Sequence, residues 1–265
     1  TNDIFCDNLE TINDMHVRCN LFVDGDTSFN KVIITSEMFI ANTLAANSNV
    51  VIKEALSIGM SLYTMESNIT IGPTVLHSSL SVNGNVNLEG TTKLYDDVSV
   101  FARLALQKEG VFLSNIDFYG LTTMHDNTTI NKQLIVQSDA FLNSNLNIKG
   151  ILSVQESSYF NDNVQVIGSM VCFSNLNVAG NMYLVNTFNA FNDAILHSKL
   201  SVHDSIFAQN TLNVVGNSYL HSNLVVQGNI SCLDKFALLS NAIFYNHVLM
   251  HTNLNVKNNV DINNH

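Results

Sequence analysis

Histidine is the residue type whose spacing first suggests chemistry in this chain. His203 and His221 are 18 residues apart, and imidazole is both a common metal ligand and a side chain that titrates near neutral pH. A fold that stacked one on the other would create a metal site or a pH-sensitive pair. Leu239 and Lys257 continue the same series. Because no carboxylate or third ligand joins them, the sequence alone favours two solvated surface imidazoles.

Four other histidines raise the possibility of a general base, which an acyltransferase would need. His77, His125, His197 and His251 occupy outward positions of the repeat described below. Nothing in their spacing distinguishes one from the others. We therefore predict no catalytic residue, no cofactor and no metal site, and we do not expect an enzyme.

The four cysteines show no zinc-binding spacing. Cys6 and Cys19 lie near the N-terminus, and the sequence does not decide whether they form a disulfide with each other. Cys172 and Cys232 fall on apolar positions of the repeat, and we expect them to be buried as small hydrophobic side chains. Three glycosylation sequons begin at Asn68, Asn127 and Asn229, but such matches arise readily by chance in an Asn-rich chain, so glycosylation stays open.

Composition excludes several classes of partner. The 265 residues are 46% hydrophobic and 12% charged, with a formal net charge of −11. Disordered chains have the opposite composition. Nucleic acids and anionic membrane surfaces require a basic surface, which 11 Lys and Arg residues do not supply. No apolar run is long enough for a membrane-spanning helix, so membrane insertion is not expected.

An internal six-residue repeat is the feature that must position all these side chains. It runs for 32 units from Thr74-Val-Leu76 to Val260-Asp-Ile262, and we letter its positions a to f. Position c is apolar in all 32 units and position a in 25, with no charge at either. Because alternate residues of a strand point to the same side, a and c are predicted to face inward.

Positions e and f are predicted to form two-residue corners between short strands. Glycine recurs at e and asparagine at f, and both tolerate the positive φ that a sharp corner often needs. They include Gly84, Gly90, Gly120, Gly150, Gly168, Gly180, Gly216 and Gly228 at e, and Asn85, Asn127, Asn145, Asn163, Asn181, Asn217, Asn229, Asn241 and Asn253 among the asparagines at f.

The predicted fold class is all-β: a single-stranded, triangular β-solenoid (β-helix) with three six-residue strand-plus-corner units per coil. A short strand cannot bury its apolar face alone, so consecutive strands must wrap and stack. Asn at f is enriched in every third unit (6 of 10 against 7 of 22 elsewhere), which favours coils of 18 residues because stacked asparagines form ladders. A fibre in which three intertwined chains build each layer is the alternative.

The whole chain, 1–265, is predicted to form one continuous solenoid, roughly 70 Å long at ~4.8 Å per coil. Its regular repeat covers 74–265. The six-residue register slips near 27–32 and near 62–74, where Pro73 cannot donate to a strand ladder.

The repeat resembles those of known fibre proteins. Leu80-Ser-Val-Asn-Gly-Asn-Val-Asn-Leu88 and Leu224-Val-Val-Gln-Gly-Asn-Ile230 resemble bactofilins, which are triangular β-solenoids that polymerise end to end without nucleotide. They equally resemble the Gly/Asn-rich shaft repeats of phage and large-DNA-virus fibres. These resemblances imply a homopolymer, with an extracellular, cell-surface or virion-surface location favoured. Units such as Thr92-Lys-Leu94 resemble hexapeptide-repeat acyltransferases instead, but most units carry a large residue at a.

Two groups of residues are predicted to mediate assembly. Apolar side chains at outward positions suggest lateral contacts between chains. Apolar strands that stay in frame almost to the end of the chain, with no cap after them, suggest head-to-tail stacking into an open filament. The outward group is Phe101, Phe173, Phe191, Phe207, Val225 and Ile243, and the end group is Leu254, Val256, Val260 and Ile262.

The predicted function is therefore that of a structural protein, a subunit or shaft segment of an extended fibre. Its expected partner is itself, with lateral partner chains possible and no nucleic acid. The alternatives are a surface or virion adhesin whose faces bind a glycan or receptor, and a hexapeptide-repeat acyltransferase.

Overall fold

The computed structural model describes residues 3–13, 15–59 and 61–262. All regular elements in these ranges are β-strands, nearly all of three residues. The chain divides into two compact units, 1–132 (unit 1) and 133–265 (unit 2). Each unit is a parallel β-solenoid with three strands per coil, which confirms the predicted fold class. Consecutive strands of one chain build every coil, so each layer is single-stranded rather than shared among three chains.

Unit 1 contains the first half of the strands. They are β1 (Ile4–Cys6), β2 (Leu9–Glu10), β3 (Met15–Val17), β4 (Leu21–Val23), β5 (Thr27–Phe29), β6 (Val32–Ile34), β7 (Met38–Ile40), β8 (Leu44–Ala46), β9 (Val50–Ile52), β10 (Leu56–Ile58), β11 (Leu62–Thr64), β12 (Asn68–Thr70), β13 (Thr74–Leu76), β14 (Leu80–Val82), β15 (Val86–Leu88), β16 (Thr92–Leu94), β17 (Val98–Val100), β18 (Leu104–Leu106), β19 (Gly110–Phe112), β20 (Ile116–Phe118), β21 (Thr122–Met124) and β22 (Thr128–Ile130).

Unit 2 contains the second half. Its strands are β23 (Leu134–Val136), β24 (Ala140–Leu142), β25 (Leu146–Ile148), β26 (Leu152–Val154), β27 (Ser158–Phe160), β28 (Val164–Val166), β29 (Met170–Cys172), β30 (Leu176–Val178), β31 (Met182–Leu184), β32 (Phe188–Ala190), β33 (Ala194–Leu196), β34 (Leu200–Val202), β35 (Ile206–Ala208), β36 (Leu212–Val214), β37 (Ser218–Leu220), β38 (Leu224–Val226), β39 (Ile230–Cys232), β40 (Phe236–Leu238), β41 (Ala242–Phe244), β42 (Val248–Met250), β43 (Leu254–Val256) and β44 (Val260–Ile262).

Every third strand pairs in parallel, which gives three sheets in each unit. In unit 1 the sheets begin β1-β4-β7, β2-β5-β8 and β3-β6-β9, and in unit 2 they begin β25-β28-β31, β23-β26-β29 and β24-β27-β30. The register is in general i to i+18, as in Leu56 with Thr74. The earliest coils are one residue shorter where a five-residue step separates two strands, so that Met15 pairs with Val32.

The interior of each unit is a column of a and c side chains. Ile40, Phe118, Leu184 and Val202 are 0% exposed, and the intervening b residues are mostly half-buried. Each fully buried side chain of this size contributes about 1.5–3 kcal/mol relative to exposure. The alternation that the sequence predicts is therefore the packing that stabilises the coils.

The register slip that the sequence predicts near 62–74 is absent from the structure. Strands β11, β12 and β13 begin at 62, 68 and 74, so the six-residue step is retained there. The polar residues Thr64, Asn68, Thr70 and Thr74 occupy inward positions and are at most 1% exposed. Their polarity, rather than a change of spacing, obscures the repeat. In contrast, β5 and β6 begin five residues apart, at 27 and 32.

This polar stretch is only partly satisfied by hydrogen bonds. Thr70 Oγ1 donates to Asn68 Oδ1 at 3.4 Å. In the described part of the chain, Thr64 Oγ1, Asn68 Nδ2 and Thr74 Oγ1 are buried without a hydrogen-bond partner. Such groups cost about 1–3 kcal/mol each, so these coils are less stable than their apolar neighbours.

Corner glycines are required for space and not for positive φ. No described residue, glycine included, has a positive φ, so the conformational explanation from the sequence is wrong. A Cβ on Gly120 would lie 2.0 Å from the backbone oxygen of Ala102, and one on Gly84 would lie 2.3 Å from the carbonyl carbon of Glu66. These corners stack so closely on the preceding coil that a side chain would meet its backbone.

We predict that neighbouring residues of β14 tolerate a charge very differently. Val82→Asp places a carboxylate in the interior, where Val82 is 0% exposed, and an uncompensated buried charge costs several kcal/mol. Ser81→Asp adds the same carboxylate to the half-buried outer side of the same strand and is expected to cost less than about 1 kcal/mol. Urea unfolding of both variants measures the difference, and equal losses would contradict the inward–outward assignment.

Candidate assembly surfaces

The corners carry a hydrogen-bond ladder from side chain to backbone. Asn163 Oδ1 accepts from the backbone N–H of Asn181 at 2.8 Å, and Asn217 Oδ1 accepts from that of Lys235 at 3.3 Å. Each bond joins f positions in successive coils. The f-position N–H is not part of the strand ladder, so a side chain supplies its acceptor. That side chain belongs either to the coil before it or to the preceding e position, as where the Asn163 N–H donates to Asp162 Oδ1 at 2.8 Å. The predicted coil length of 18 residues is confirmed, and such bonds occur at all three corners of the coil, as those accepted by Asn85 and Asn223 show.

Aspartate takes the same role, which sequence reasoning missed. Asp97 Oδ1 accepts from Ser114 Oγ at 2.7 Å and from the backbone N–H of Asn115 at 3.1 Å. The Ser114 hydrogen bond is the main cause of a pKa of Asp97 below its ordinary value. Burial raises the pKa of Asp117, and the Asp97 carboxylate adds to that rise. Asp and Asn carry an acceptor oxygen at the same atom position. A search of position f for Asp as well as Asn would therefore have identified aspartates such as Asp97 from the sequence.

The predicted outward aromatics form ring ladders. Phe101 stacks on Tyr119 in unit 1 with ring centroids 4.7 Å apart, and Phe173 stacks on Phe191 in unit 2 at 5.0 Å and 4° between ring planes. Successive rings therefore cover each other's faces and present their edges outward. Phe101 remains 48% and Phe173 43% exposed, so both ladders leave apolar surface in the isolated chain.

The other three predicted outward residues form one apolar stripe on unit 2. Phe207 is in register with Val225, and Val225 with Ile243. All three are half-buried at the middle of consecutive strands. Polar residues flank the stripe in the same register, with Asn189 on one side and Asp261 on the other. The structure thus brings together three residues that are distant in sequence.

The last coil of unit 2 gathers the predicted end group. Leu254 and Val256 lie on β43, and Val260 and Ile262 lie on β44. Leu254 is 39%, Val260 40% and Ile262 52% exposed, and Val256 is half-buried. Equivalent residues one coil earlier, such as Phe236 and Leu238, are at most 2% exposed. The described chain leaves this end of the apolar column uncovered.

The histidines lie outward, as predicted. His203 and His221 stack with ring centroids 4.5 Å apart, and His77 stacks on Tyr95 at 4.8 Å. His125, His197 and His251 are also exposed. No group of three or more His, Cys, Asp or Glu residues within 3–13, 15–59 and 61–262 has an arrangement that could hold a metal ion.

The cysteines are all free thiols, so Cys6 and Cys19 form no disulfide in this structure. Cys172 and Cys232 are buried, as predicted, and burial raises the pKa of each thiol to about 12. Among the sequons, Asn68 is 1% exposed in the interior, where a glycan has no room. Asn127 and Asn229 lie exposed at corners.

A surface groove of about 610 Å³ in unit 1 was not foreseen from the sequence. Its lining combines carboxylates and hydroxyls with Leu9 and Ala45 and includes Asn8, Glu10, Asp26, Thr27, Ser28 and Thr43. Asp26 and Asn8 are already joined by the corner ladder, since Asn8 Oδ1 accepts from the Asp26 backbone N–H at 3.0 Å. The Asp26 carboxylate in turn accepts from the Thr43 backbone N–H at 3.2 Å, so both side chains serve coil stacking.

No family model, curated protein or solved structure matches the chain. The resemblance to bactofilins and viral fibre shafts is thus one of repeat pattern, and the β-solenoid is the part that the structure supports. No helix in the described ranges has the length and apolar character to span a membrane.

We predict that the corner ladder contributes measurably to stability. Asn85 Oδ1 accepts from the backbone N–H of Arg103 at 3.1 Å, and Asn85→Ala, which removes that acceptor, is expected to lower the free energy of unfolding by about 1 kcal/mol. Asn85→Asp keeps an acceptor oxygen at the same position and should retain most of the stability. Chemical denaturation of the two variants tests this, and equal destabilisation would show that the oxygen is not what matters.

We also predict that the Phe173–Phe191 ladder stabilises the coils cooperatively. A double-mutant cycle with Phe173→Ala and Phe191→Ala separates the interaction free energy between the two rings from the destabilisation that each substitution causes alone. Stacked aromatic pairs contribute about 0.5–1.5 kcal/mol beyond area burial, and we expect a coupling energy in that range from thermal or urea unfolding. Strict additivity would contradict the stacking.

Proposed function

We propose that this chain is a structural protein, a subunit or shaft segment of an extended fibre that grows by stacking coil on coil. The observation that carries the proposal is the parallel pairing at an offset of 18 residues, by which each coil within a unit presents the strand edges and apolar side chains on which the next coil stacks. The last described coil of unit 2 is one such surface. Burying Leu254, Val260 and Ile262 under another coil would contribute about 25 cal/mol for each Å² of apolar surface removed from water.

The strand edges of that coil favour the same kind of partner. Inside unit 2, β40 pairs on both sides, with β37 and with β43. In contrast, β43 and β44 each pair on one side only in the described chain. Unpaired strand edges are templates for another strand. The matching template is a coil of short strands that run in the same direction, which a second copy of this chain possesses.

The first coil of unit 1 presents the complementary edge. Among the described residues, strand β1 pairs with β4 alone, and Phe5 stacks on Phe22 through one face, with ring centroids 4.7 Å apart. Phe5 is 71% exposed. A contact between unlike ends is heterologous and does not close, so it generates a filament rather than a discrete oligomer.

Lateral packing would act on other surfaces. The Phe207–Val225–Ile243 stripe offers an apolar band whose repeat equals the strand spacing, so two copies can align along it. The net charge of −11 opposes association of copies at low ionic strength, and salt screens that repulsion. Assembly is therefore expected to increase with salt.

The test is electron microscopy and fibre diffraction of the purified chain over a series of concentrations. We expect unbranched filaments with an axial spacing of ~4.8 Å between strands. Val260→Lys combined with Ile262→Lys places two ammonium groups on the uncovered apolar end and should abolish filaments. Asp261→Lys changes the net charge by the same amount on the outward side of the same strand and should preserve them.

Two results would contradict the proposal. One is discrete particles for the unmodified chain at every concentration and salt level. The other is equal loss of filaments in the paired variant and in Asp261→Lys, because the effect would then be one of charge alone. Circular dichroism of each variant confirms that the solenoid is intact. Phe207→Ser with Ile243→Ser should leave single filaments but reduce their bundling.

A further inference from the structure

The strongest unassigned cluster lies on the outside of unit 2, where two imidazoles and a phenol meet. The rings of His203 and His221 have centroids 4.5 Å apart and are tilted by 55°. Tyr183 meets His203 edge-on, with centroids 5.2 Å apart and 75° between ring planes. The Tyr183 hydroxyl is 3.4 Å from His203 Nε2. Both histidines are exposed and Tyr183 is half-buried.

Coil stacking holds these three side chains together. His203 follows β34 and His221 follows β37, which are paired neighbours in one sheet. Tyr183 lies in the middle of β31, the strand on the other side of β34, in register with Ser201. The Tyr183 side chain reaches His203, which lies two residues beyond its register partner Ser201. The backbone therefore fixes all three positions before any ligand arrives, which lowers the entropy cost of binding.

Tyr183 Oη and His203 Nε2 are within hydrogen-bond distance, and which of them donates depends on the His203 tautomer. A metal-binding histidine usually donates its second ring N–H to an oxygen acceptor, which fixes the tautomer. If His203 Nε2–H donates to Tyr183 Oη, the lone pair is left on Nδ1, the nitrogen that does not face the phenol. The neighbouring His221 supplies a second imidazole within one strand spacing.

We propose that His203 and His221 chelate a divalent transition-metal ion of the zinc, nickel or copper class, with Tyr183 as a positioning residue that holds the His203 ring. Metal–nitrogen bonds of about 2.0–2.1 Å place two ligands of a tetrahedral ion about 3.3 Å apart. Imidazoles on adjacent strands can reach this separation by small ring rotations. Water completes the coordination, as at an open site. This site is independent of fibre assembly.

Ion class follows from the ligands. Imidazole suits Zn²⁺, Cu²⁺ and Ni²⁺, whereas Ca²⁺ and Mg²⁺ require oxygen ligands. The chain is acidic overall, with a net charge of −11, which favours any cation to a small extent. Selectivity for the transition metals over Mg²⁺ is therefore the property that separates chelation from general electrostatic attraction.

The experiment is calorimetric titration of the full chain with ZnCl₂, NiCl₂ and MgCl₂ at neutral pH. We expect one Zn²⁺ or Ni²⁺ per chain and no measurable Mg²⁺ binding. His203→Gln and His221→Gln should each weaken binding by about tenfold or more, and Tyr183→Phe, which keeps the ring but removes the oxygen, by about tenfold. His197→Gln is the control, because His197 is an exposed imidazole on another sheet of the same unit.

Three results would overturn the proposal: unchanged Zn²⁺ and Ni²⁺ affinity in the variant that carries both His203→Gln and His221→Gln, an equal loss in His197→Gln, or comparable binding of Mg²⁺. The variants change only surface or half-buried side chains, and circular dichroism verifies the fold. Unchanged affinity in Tyr183→Phe alone would remove the positioning role of the phenol and, with it, the tautomer assigned to His203.

Discussion

Parallel in-register pairing determines almost everything else in this chain. Because Leu56 pairs with Thr74 and the same offset recurs through each unit, every residue lies next to residues one coil before and one coil after it. A favourable contact made once can therefore be repeated along a sheet, and so can an unfavourable one. That single offset produces three features: the apolar columns inside, the amide ladders at the corners and the aromatic ladders outside.

The corners show how such a fold satisfies its backbone. Strand residues bond to the adjacent coils through the sheets, but f-position amides lie outside the sheets. Side-chain oxygens such as those of Asn163 and Asp97 provide the missing acceptors. Glycine at e lets neighbouring corners approach at distances where a Cβ would meet backbone. Asn, Asp and Gly therefore recur for hydrogen bonding and for space.

Much of the fold could be predicted from sequence because the repeat is strict where packing is strict. Leu184 and Val202 are inward and buried as their positions require. The expectation of positive φ at the corners was wrong, since close approach rather than backbone conformation selects glycine there. The segment 62–74 was misinterpreted because Asn68 and Thr70 are polar where the pattern calls for apolar residues. Hydrophobicity alone does not reveal the spacing at such a place.

The candidate surfaces were less predictable. The pairing of His203 with His221 follows from an interval that is visible in the sequence. The approach of Tyr183 does not, because Tyr183 and His203 occupy different positions of the repeat and meet through their side chains. The order of Phe207, Val225 and Ile243 follows from the coil length, but their degree of burial follows from neighbouring side chains. The sequence spacing shows which residues stack on one another in successive coils. Contacts between side chains of different stacks can be seen only in the structure.

The polar interior around Thr64, Asn68 and Thr74 has a mechanical consequence. A rod of stacked layers under axial tension parts where adjacent layers adhere least, and buried polar atoms without partners reduce that adhesion. Unit 1 thus contains its own preferred point of fracture. Elsewhere in the unit, a load would be carried by apolar columns and corner ladders together. Tensile strength in such a rod would be set by its weakest coil rather than by its average composition.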